Sequence, residues 1–363
     1  MRIAVYGATG YTGRLVAEEL RRRGTDMVLA GRNRSRLESL AMDLGLTGAQ
    51  VRTADVDDPA GLAAVLDGCD GVVNCAGPFT FFGEQVVRAA IAARCQYVDT
   101  TGEQAYMQRI FERCDEDARR AGIAVIPAMG FDIVPGDVIA HLTAAGVEPL
   151  EQLTIAYRTA GFGVTRGTMH SALEILSGGD LVYEDGTWRP AGPIGRAGSV
   201  VFPGESSPAL TMRFPGGEMV TVPRHVKTQR LEVLMDARSF VPGPLARLAP
   251  GMAPGMGALL RTPARALLDR VIDRLPEGPP EHKRRTASFT IVAQATGTDG
   301  RVTRGEIRGT DIYGSTALLC VEGVSRLCGG APSGVLAPSQ ALDLGGFMPF
   351  LETIGYRWSV GPA

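Results

Sequence analysis

The stretch YGATGYTGR, which starts at position 6, carries a glycine at every third place with hydroxyl side chains between them. Glycines at this spacing let the chain turn tightly after a strand and let the backbone approach a pyrophosphate at a helix N-terminus. The spacing alone is a weak signal, because 47 of the 363 residues are glycine. Between a strand and a helix, it predicts a dinucleotide site formed by Gly7, Thr9, Gly10, Tyr11, Thr12 and Gly13.

Basic residues follow about twenty positions later, in the stretch LAGRNRSRL at positions 29–37. NAD-dependent enzymes carry a carboxylate here for the ribose hydroxyls, but this chain carries Arg32. A guanidinium can bind a 2′-phosphate through two hydrogen bonds, whereas a carboxylate would repel it. We therefore predict NADP(H) as the cofactor, with Arg32 and Arg36 at its phosphate. A solvated arginine cluster is the alternative, because only two of the 37 basic residues are lysine.

Two further segments follow strands that should end at the same edge. Asp55 comes after the third predicted strand and suits either the adenine side of the cofactor or the entry of a helix. The stretch NCAGPF follows the fourth strand, and its small residues would permit close approach of the nicotinamide. The cofactor-binding residues predicted there are Cys75, Ala76, Gly77, Pro78 and Phe79. Covalent catalysis by the Cys75 thiol is not favoured, because no histidine follows nearby.

The two lysines limit the chemistry that this chain can perform. Lys227 and Lys283 are each preceded, four positions earlier, by a proline, which excludes the Tyr-x-x-x-Lys pair of short-chain dehydrogenases. Neither lysine follows a glycine, which excludes a P-loop. Hydride addition to a conjugated bond leaves an anion that must be stabilised and protonated. The proton donor must therefore be a tyrosine, a histidine, a carboxylic acid or water.

Candidate donors lie chiefly in two strand-end loops, YVDTTGE at positions 97–103 and PAMGFDIVPGD at positions 127–137. We rank Asp132 first, for substrate positioning. The further candidates are Tyr97, Asp99, Glu103, His170 and Tyr313. Structural alternatives stay open, because Asp99 and Glu103 can accept loop amides, Asp137 can cap a helix and a lone histidine is more often structural.

Strand and helix patterns alternate through the first part of the chain, and the strands are apolar throughout. Such a series predicts an α/β domain of Rossmann type, a doubly wound parallel sheet, over residues 1–149. Strand patterns separated by Gly/Pro turns predict a second, α+β domain with a largely antiparallel sheet over 150–340; one of these strands is expected at 219–222. The segment 341–363 is expected to pack on the first domain.

Composition indicates a soluble, cytoplasmic protein. The net charge of −2 provides no field for nucleic acid or an anionic membrane, and no apolar run of 18 residues predicts a membrane span. Six cysteines without a C-x-x-C pair, and without histidine clusters, argue against metal and disulfides. The segment 241–275 suits a core-covering helix, a flap or a dimer contact, so a homodimer stays open.

Taken together, the motifs resemble those of the saccharopine dehydrogenase-like oxidoreductases, a family that includes the trans-acting enoyl reductases. The resembling stretches run in order along the chain and are GATGYTGR, LAGRNRSRL, VVNCAGPF, YVDTTGE, GFDIVPGD, EGPPEHKRRTASFTI and GTDIYGSTALLCVE. The resemblance implies that the first domain binds NADP(H) and that the second closes over the cleft. Two departures concern the substrate: the family's F-D-S-x-P-S-D reads FDIVPGD here, and its D-P-G-Y-G reads TDIYG.

We therefore expect an NADPH-dependent reductase that delivers hydride to a C=C bond conjugated to a carbonyl. Its substrate would be a biosynthetic intermediate, either a free small molecule or bound to a carrier. Reduction of a C=N bond, as in saccharopine formation, is one alternative. A redox sensor that binds NADP without turning it over is the other.

Overall fold

The computed structural model describes residues 1–46, 50–177, 180–192, 196–239 and 264–363. Its strands are β1 (Arg2–Tyr6), β2 (Asp26–Gly31), β3 (Val51–Thr53), β4 (Gly71–Asn74), β5 (Gln96–Asp99), β6 (Ala124–Ile126), β7 (Leu150–Ala160), β8 (Leu181–Glu184), β9 (Thr187–Pro190), β10 (Arg196–Val200), β11 (Ala209–Arg213), β12 (Thr228–Asp236), β13 (Ser288–Gly297), β14 (Val302–Thr310), β15 (Gly334–Val335) and β16 (Arg357–Pro362).

The α-helices are α1 (Tyr11–Arg22), α2 (Arg34–Asp43), α3 (Pro59–Leu66), α4 (Phe79–Ala93), α5 (Gln104–Ala121), α6 (Val134–Ala144), α7 (Arg166–Ser177), α8 (Glu218–Thr221), α9 (Ala264–Ile272), α10 (Glu281–Thr286), α11 (Ile312–Gly329), α12 (Pro338–Ala341) and α13 (Leu344–Thr353). Short 3₁₀ turns lie at Val222–Arg224 and Ala237–Ser239. Within the described ranges, none of the helices combines the length and the apolar composition that a bilayer crossing requires.

The chain forms two compact units, residues 1–131 with 313–343, and residues 132–312 with 344–363. These boundaries differ from the predicted ones. Helix α6 packs on β13 and β14 of the second sheet, which moves the first boundary back from 149 to 131. Helix α11 belongs to the first unit. Residues 344–363 belong to the second unit, where β16 pairs with β14, and the expectation that 341–363 packs on the first domain stays a prediction.

In the first unit, seven of the described strands form one parallel sheet in the order β15-β6-β5-β4-β1-β2-β3. Its central strands are apolar because both faces are covered: Ile3, Ala4 and Val5 of β1 are fully buried. The order reverses between β1 and β4, and the crevice at such a reversal is where doubly wound sheets bind ligands, at the carboxyl ends of the strands. This confirms the predicted Rossmann-type fold.

The first turn of α1 packs directly on the end of β1, and two glycines make this possible. Gly7 has a φ of +79°, and a Cβ there would lie 2.9 Å from the Ala76 backbone nitrogen. A Cβ at Gly13 would overlap with the Gly7 carbonyl oxygen and lie 2.9 Å from the Cα of Ala8. Glycine is therefore required at positions 7 and 13 by packing as well as by any phosphate.

In the second unit, the described strands form a sheet with the path β10-β11-β12-β7-β13-β14-β16, and β8 adds the hairpin partner β9. Neighbours are antiparallel except β12 and β7. The predicted α+β domain with a largely antiparallel sheet is confirmed. The strand expected at 219–222 is wrong: the segment forms α8 and a 3₁₀ turn that contains Pro223, a residue with no N–H to donate to a neighbouring strand.

Replacing Gly13 with Ala should lower the free energy of unfolding by about 1–3 kcal/mol, because the added methyl overpacks the contact with Gly7. Gly329→Ala is the matched control, since a Cβ at that position of α11 would meet no atom within 4 Å. It should change stability by no more than about 1 kcal/mol. Urea denaturation measures both variants, and equal stability of the two would contradict this packing argument.

Candidate functional site

The glycine turn leaves the start of α1 open to an anion. Gly10 is the N-cap of α1, its N–H donates to the Gly7 carbonyl at 3.0 Å, and no side chain caps the helix. The first turn contains no acidic residue. Backbone N–H groups and the positive end of the helix dipole therefore face outward without a carboxylate competing for them. Thr9, Tyr11 and Thr12 are all partly exposed beside this turn.

The arginines after β2 divide into different roles. Asn33 caps α2 by accepting the Arg36 N–H at 3.0 Å, so the helix starts before the Ser35–Glu38 pattern that resembles a capping box. The Arg36 guanidinium donates to the Thr9 carbonyl at 3.3 Å and thereby reaches the glycine turn. Arg34 is paired with Glu38 at 2.8 Å. Arg32 is exposed, and no ion pair ties it to another residue in the described part of the chain.

Asp55 and Arg32 both act on the hydroxyl of Tyr6, at the end of β1. That hydroxyl donates to the Ala54 carbonyl at 3.2 Å. Burial raises the pKa of Tyr6 to about 12, the Asp55 charge adds to the rise and the Arg32 charge opposes it. Asp55 is exposed, and the helix-entry role falls to Asp58, which accepts the N–H of Gly61 at 3.0 Å. The predicted role of Asp55 on the adenine side of the cofactor stays open.

The loop after β4 meets the glycine turn at the reversal of the strand order. The Cys75 N–H donates to the Tyr6 carbonyl at 2.8 Å, and the Ala76 N–H donates to Asn74 Oδ1 at 3.0 Å. Gly77 is exposed, and Pro78 precedes the buried Phe79 at the start of α4. Desolvation, aided by the Asp99 charge, raises the pKa of Cys75 to about 12. A thiol that keeps its proton at neutral pH is unsuited to nucleophilic attack.

Glu103 caps the helix that begins 24 residues before it. Its carboxylate accepts the Phe79 N–H at 3.0 Å, the Thr80 N–H at 2.7 Å and the Thr80 hydroxyl at 2.5 Å. The side chain is 2% exposed. These contacts satisfy free N–H groups at the start of α4 and place a negative charge at its positive end.

Asp99 is the acceptor at the centre of a buried network. Its Oδ2 accepts the hydroxyls of Tyr97 and Tyr106, each at 2.8 Å. Its Oδ1 accepts the N–H groups of Thr101 at 3.0 Å and Ala128 at 2.8 Å. Burial raises the pKa of Asp99 to about 6 and raises the pKa of both tyrosines well above 10. Tyr97 therefore keeps its proton and donates it in a hydrogen bond to Asp99, inside the network.

The network links the loops that end three neighbouring strands. Asn74 at the end of β4 donates to the Tyr97 hydroxyl at 3.1 Å. The Asp99 carbonyl accepts the Met129 N–H, at 2.7 Å, in the loop after β6. Two of the predicted catalytic residues, Tyr97 and Glu103, thus lie at the carboxyl edge of the parallel sheet. Their hydrogen bonds hold the loops of this edge in place.

Helix α11 adds a tyrosine that the predicted domain boundaries assign to the other domain. The rings of Tyr313 and Tyr11 meet edge to face at 5.3 Å between centroids, beside the glycine turn. Thr316 accepts the Phe131 N–H at 3.2 Å. No local pattern near residue 313 signals this return to the first unit; the resembling stretch GTDIYGSTALLCVE is the one available pointer.

Asp132 is the first residue of the second unit and is partly exposed. Its backbone carbonyl accepts the Tyr157 hydroxyl at 3.1 Å, and the same hydroxyl contacts the Glu218 carboxyl group. Sequence reasoning missed both partners. Tyr157 reads as an ordinary core residue of β7, and Glu218 precedes an apolar run predicted to be a strand.

Near these residues, Asp137 is hydrogen-bonded to the imidazole ring of His225, which in turn contacts the ring of His141. Asp137 Oδ2 lies 2.9 Å from His225 Nε2, and His225 Nδ1 lies 3.1 Å from His141 Nδ1. Burial opposes the charged form of His225, but Asp137 holds its pKa above the ordinary value. Burial and the His225 charge lower the pKa of His141. A proton added to this pair of rings is therefore favoured on His225, beside Asp137, over His141.

His170 lies on α7 in the second unit. Its Nδ1 is 3.1 Å from Asp269 Oδ1, and its Nε2 is 3.1 Å from Asp273 Oδ1. Both ring nitrogens are engaged in connecting α7 to α9. Part of the segment predicted as a flap, dimer contact or core cover, 241–263, lies outside the described residues. In its described part, Leu267, Val271 and Leu275 are exposed.

Comparison with known proteins identifies the first unit. The family model of the saccharopine dehydrogenase NADP binding domain matches residues 3–126. Over these residues the chain is similar to that NADP-binding domain. The glycine turn, the acid-free start of α1 and the exposed Arg32 fit NADP(H), because they present N–H groups and a guanidinium to phosphates. The match and the geometry agree on NADP(H) as the cofactor of the first unit.

Relatives extend beyond the NADP-binding domain. The chain is 36% identical over 184 residues to a Mycobacterium tuberculosis protein provisionally named trans-acting enoyl reductase, covering 48% of this chain and 44% of that protein. It is 30% identical over 206 residues to the saccharopine dehydrogenase-like oxidoreductase of Bos taurus, covering 52% and 44%. The chain thus spans less than half the length of these curated relatives.

A solved structure shares the fold of the whole chain. Saccharopine dehydrogenase (L-Glu forming) of Saccharomyces cerevisiae aligns with a TM-score of 0.64 and 13% identity, covering 100% of this chain and 99% of that one. At this identity the likeness concerns the fold alone. It confirms the predicted resemblance at the level of architecture.

Replacing Arg32 with Asp should weaken NADPH binding by about ten- to a hundredfold, since one charge-assisted hydrogen bond contributes about 1.5–3 kcal/mol. NADH, which lacks the 2′-phosphate, should bind about equally well or better. Arg34→Asp is the control, because Arg34 is already paired with Glu38. Fluorescence titration with both cofactors measures the affinities. Equal affinities of the unmodified protein for NADPH and NADH would contradict the role given to Arg32.

Proposed function

We propose that this protein is an NADPH-dependent reductase acting on a polarised double bond, C=C conjugated to a carbonyl. The observation that carries the proposal is the exposed Arg32 beside the glycine turn of an NADP-binding domain, where a carboxylate would indicate NADH. The name of the mycobacterial relative supports enoyl chemistry. A second unit with its own sheet supports turnover over mere sensing of the cofactor.

Bound NADPH supplies a hydride, and the protein must then stabilise and protonate the resulting anion. Asp132 has a partly exposed carboxylate on a backbone held by Tyr157. We assign it to substrate positioning, with the proton coming from its carboxyl group or from water. Tyr97, Glu103 and His170 are committed to other contacts, and we propose that they position loops and helices.

The substrate we propose is a biosynthetic intermediate, free or attached to a carrier, and the compartment is the cytoplasm. The six cysteines support a reducing compartment, because each is a free thiol. The substrate class is defined by its polarised double bond. A dimer contact through 241–275 stays one of the three alternatives for that segment, beside a flap and a core-covering helix.

A substrate screen tests the function directly. Enoyl thioesters, conjugated ketones and cyclic imines are each incubated with protein and NADPH, and loss of NADPH absorbance is followed. Stoichiometric oxidation with an enoyl thioester or a conjugated ketone is the expected result. Oxidation with imines alone would replace the proposal by C=N reduction, and binding of NADPH without oxidation by any class would favour the sensor.

Replacing Asp132 with Asn keeps the shape of the side chain but removes its ionisation. Turnover should fall by about a hundredfold, the usual contribution of a group that orients or protonates the reacting atoms. NADPH affinity should stay unchanged, because the residues that we propose for the cofactor phosphates all lie in the first unit. Asp185→Asn, in the exposed β8–β9 turn, is the matched control. Turnover of Asp132→Asn within about threefold of the unmodified protein would make Asp132 structural.

A further inference from the structure

Glu218 is a buried carboxyl group surrounded by acidic neighbours. It is fully buried at the start of α8, and its Oε2 has no hydrogen-bond partner among the described residues. The other oxygen, Oε1, contacts the hydroxyl of Tyr157 on β7. The carboxylates whose charges act on it are those of Asp132 and Asp137, and no basic side chain in the described ranges pairs with it. An ionised carboxylate here would be buried without a counter-charge, which is costly.

Counting protons leads to the same result. The Tyr157 hydroxyl lies between two oxygens, the Asp132 carbonyl at 3.1 Å and Glu218 Oε1. A phenol has one proton, so with an ionised Glu218 only one of these contacts can be a hydrogen bond. With a protonated Glu218, the carboxyl O–H donates to Tyr157, and Tyr157 donates to the Asp132 carbonyl. Both contacts are then satisfied.

Two glycines leave the space that this pair occupies. A Cβ on Gly136, in the first turn of α6, would overlap with both the Tyr157 hydroxyl and Glu218 Oε1. A Cβ on Gly216 would overlap with Glu218 Oε2. The contact between Tyr157 and Glu218 therefore depends on the absence of side chains on two separate segments.

We propose that Glu218 is a neutral carboxylic acid in the native protein and that it acts with Tyr157 as a positioning pair for the turn that carries Asp132. The functional part of this inference rests on the proposed reductase activity; the protonation of Glu218 does not. Burial raises the pKa of Glu218 to about 8; hydrogen bonds from Tyr157 and from its own backbone oppose the rise, and the Asp132 and Asp137 charges add to it. Above that pH the ionised carboxylate accepts the hydrogen bond from the Tyr157 hydroxyl, and that hydroxyl no longer donates to the Asp132 carbonyl.

Carbon-13 NMR of protein labelled at the glutamate side-chain carboxyl tests the protonation without any substrate. Aspartates are silent in this experiment, and loss of one resonance in Glu218→Gln assigns the signal. We expect a protonated carboxyl at pH 7 with a titration midpoint of about 8. If Glu218→Gln does not fold, a single glutamate titrating above pH 7 in the unmodified protein serves the same purpose. A spectrum in which every glutamate titrates below pH 6 overturns the proposal.

The pH profile of kcat/KM tests the positioning. The neutral form is the competent one, so the unmodified protein should lose about tenfold in kcat/KM between pH 7 and pH 9, as one group with a midpoint of about 8 requires. In Glu218→Gln the amide N–H₂ still donates to Tyr157 but cannot ionise, so this loss should shrink to less than about twofold. Glu151→Gln, on an exposed residue of β7, should retain the alkaline loss.

The two experiments separate the possible failures. An unchanged alkaline loss in Glu218→Gln overturns the positioning role even if the reductase activity is present. Absence of NADPH oxidation with every substrate class overturns the proposed function, while the NMR titration still decides whether Glu218 is neutral. Gly136→Ala supplies a further check: the carboxyl should no longer titrate near 8, whereas Gly361→Ala, where a Cβ meets no atom within 4 Å, should leave it in place.

Discussion

The arrangement of the NADP-binding edge depends on one buried carboxylate, Asp99. It accepts two tyrosine hydroxyls and two backbone N–H groups, which come from β5, from α5 and from the loops after β5 and β6. All of these groups are buried, so removing the acceptor would leave several donors without partners at once. A shared acceptor therefore ties these loops together at the edge where we expect the cofactor.

Local sequence patterns predict the first unit well, because its strands and helices follow directly from the spacing of apolar residues and from the glycines and prolines that separate them. The apolar run of β1, the glycine turn and α1 are contiguous, and each is defined by its own residues. Pairings distant in sequence could not be predicted in this way. Glu103 caps a helix that begins at Phe79, and Tyr313 returns to pack on Tyr11. Nothing in the periodicity of either segment specifies such a partner.

The second unit shows why an acidic cluster is difficult to interpret from sequence. Asp137 is hydrogen-bonded to the ring of His225, 88 residues away, and its charge favours the protonated form of that ring, while Glu218 has no paired cation among the described residues and in our proposal keeps its proton. Both solutions avoid an isolated buried charge. The prediction of a strand at 219–222 failed because the apolar residues that follow Glu218 resemble a strand in sequence. Two glycines precede this segment and Pro223 follows it, and the segment forms one short helical turn.

The return of α11 and β15 to the first unit also has a consequence during synthesis on the ribosome. When residue 131 has emerged, the parallel sheet lacks the edge strand that pairs with β6, and β4 lacks the helix whose Val324 and Cys328 pack around Gly71. An uncovered sheet edge readily pairs with other chains. The first unit therefore remains incomplete while residues 132–312 are translated, and throughout that interval the β6 edge has no β15 to pair with.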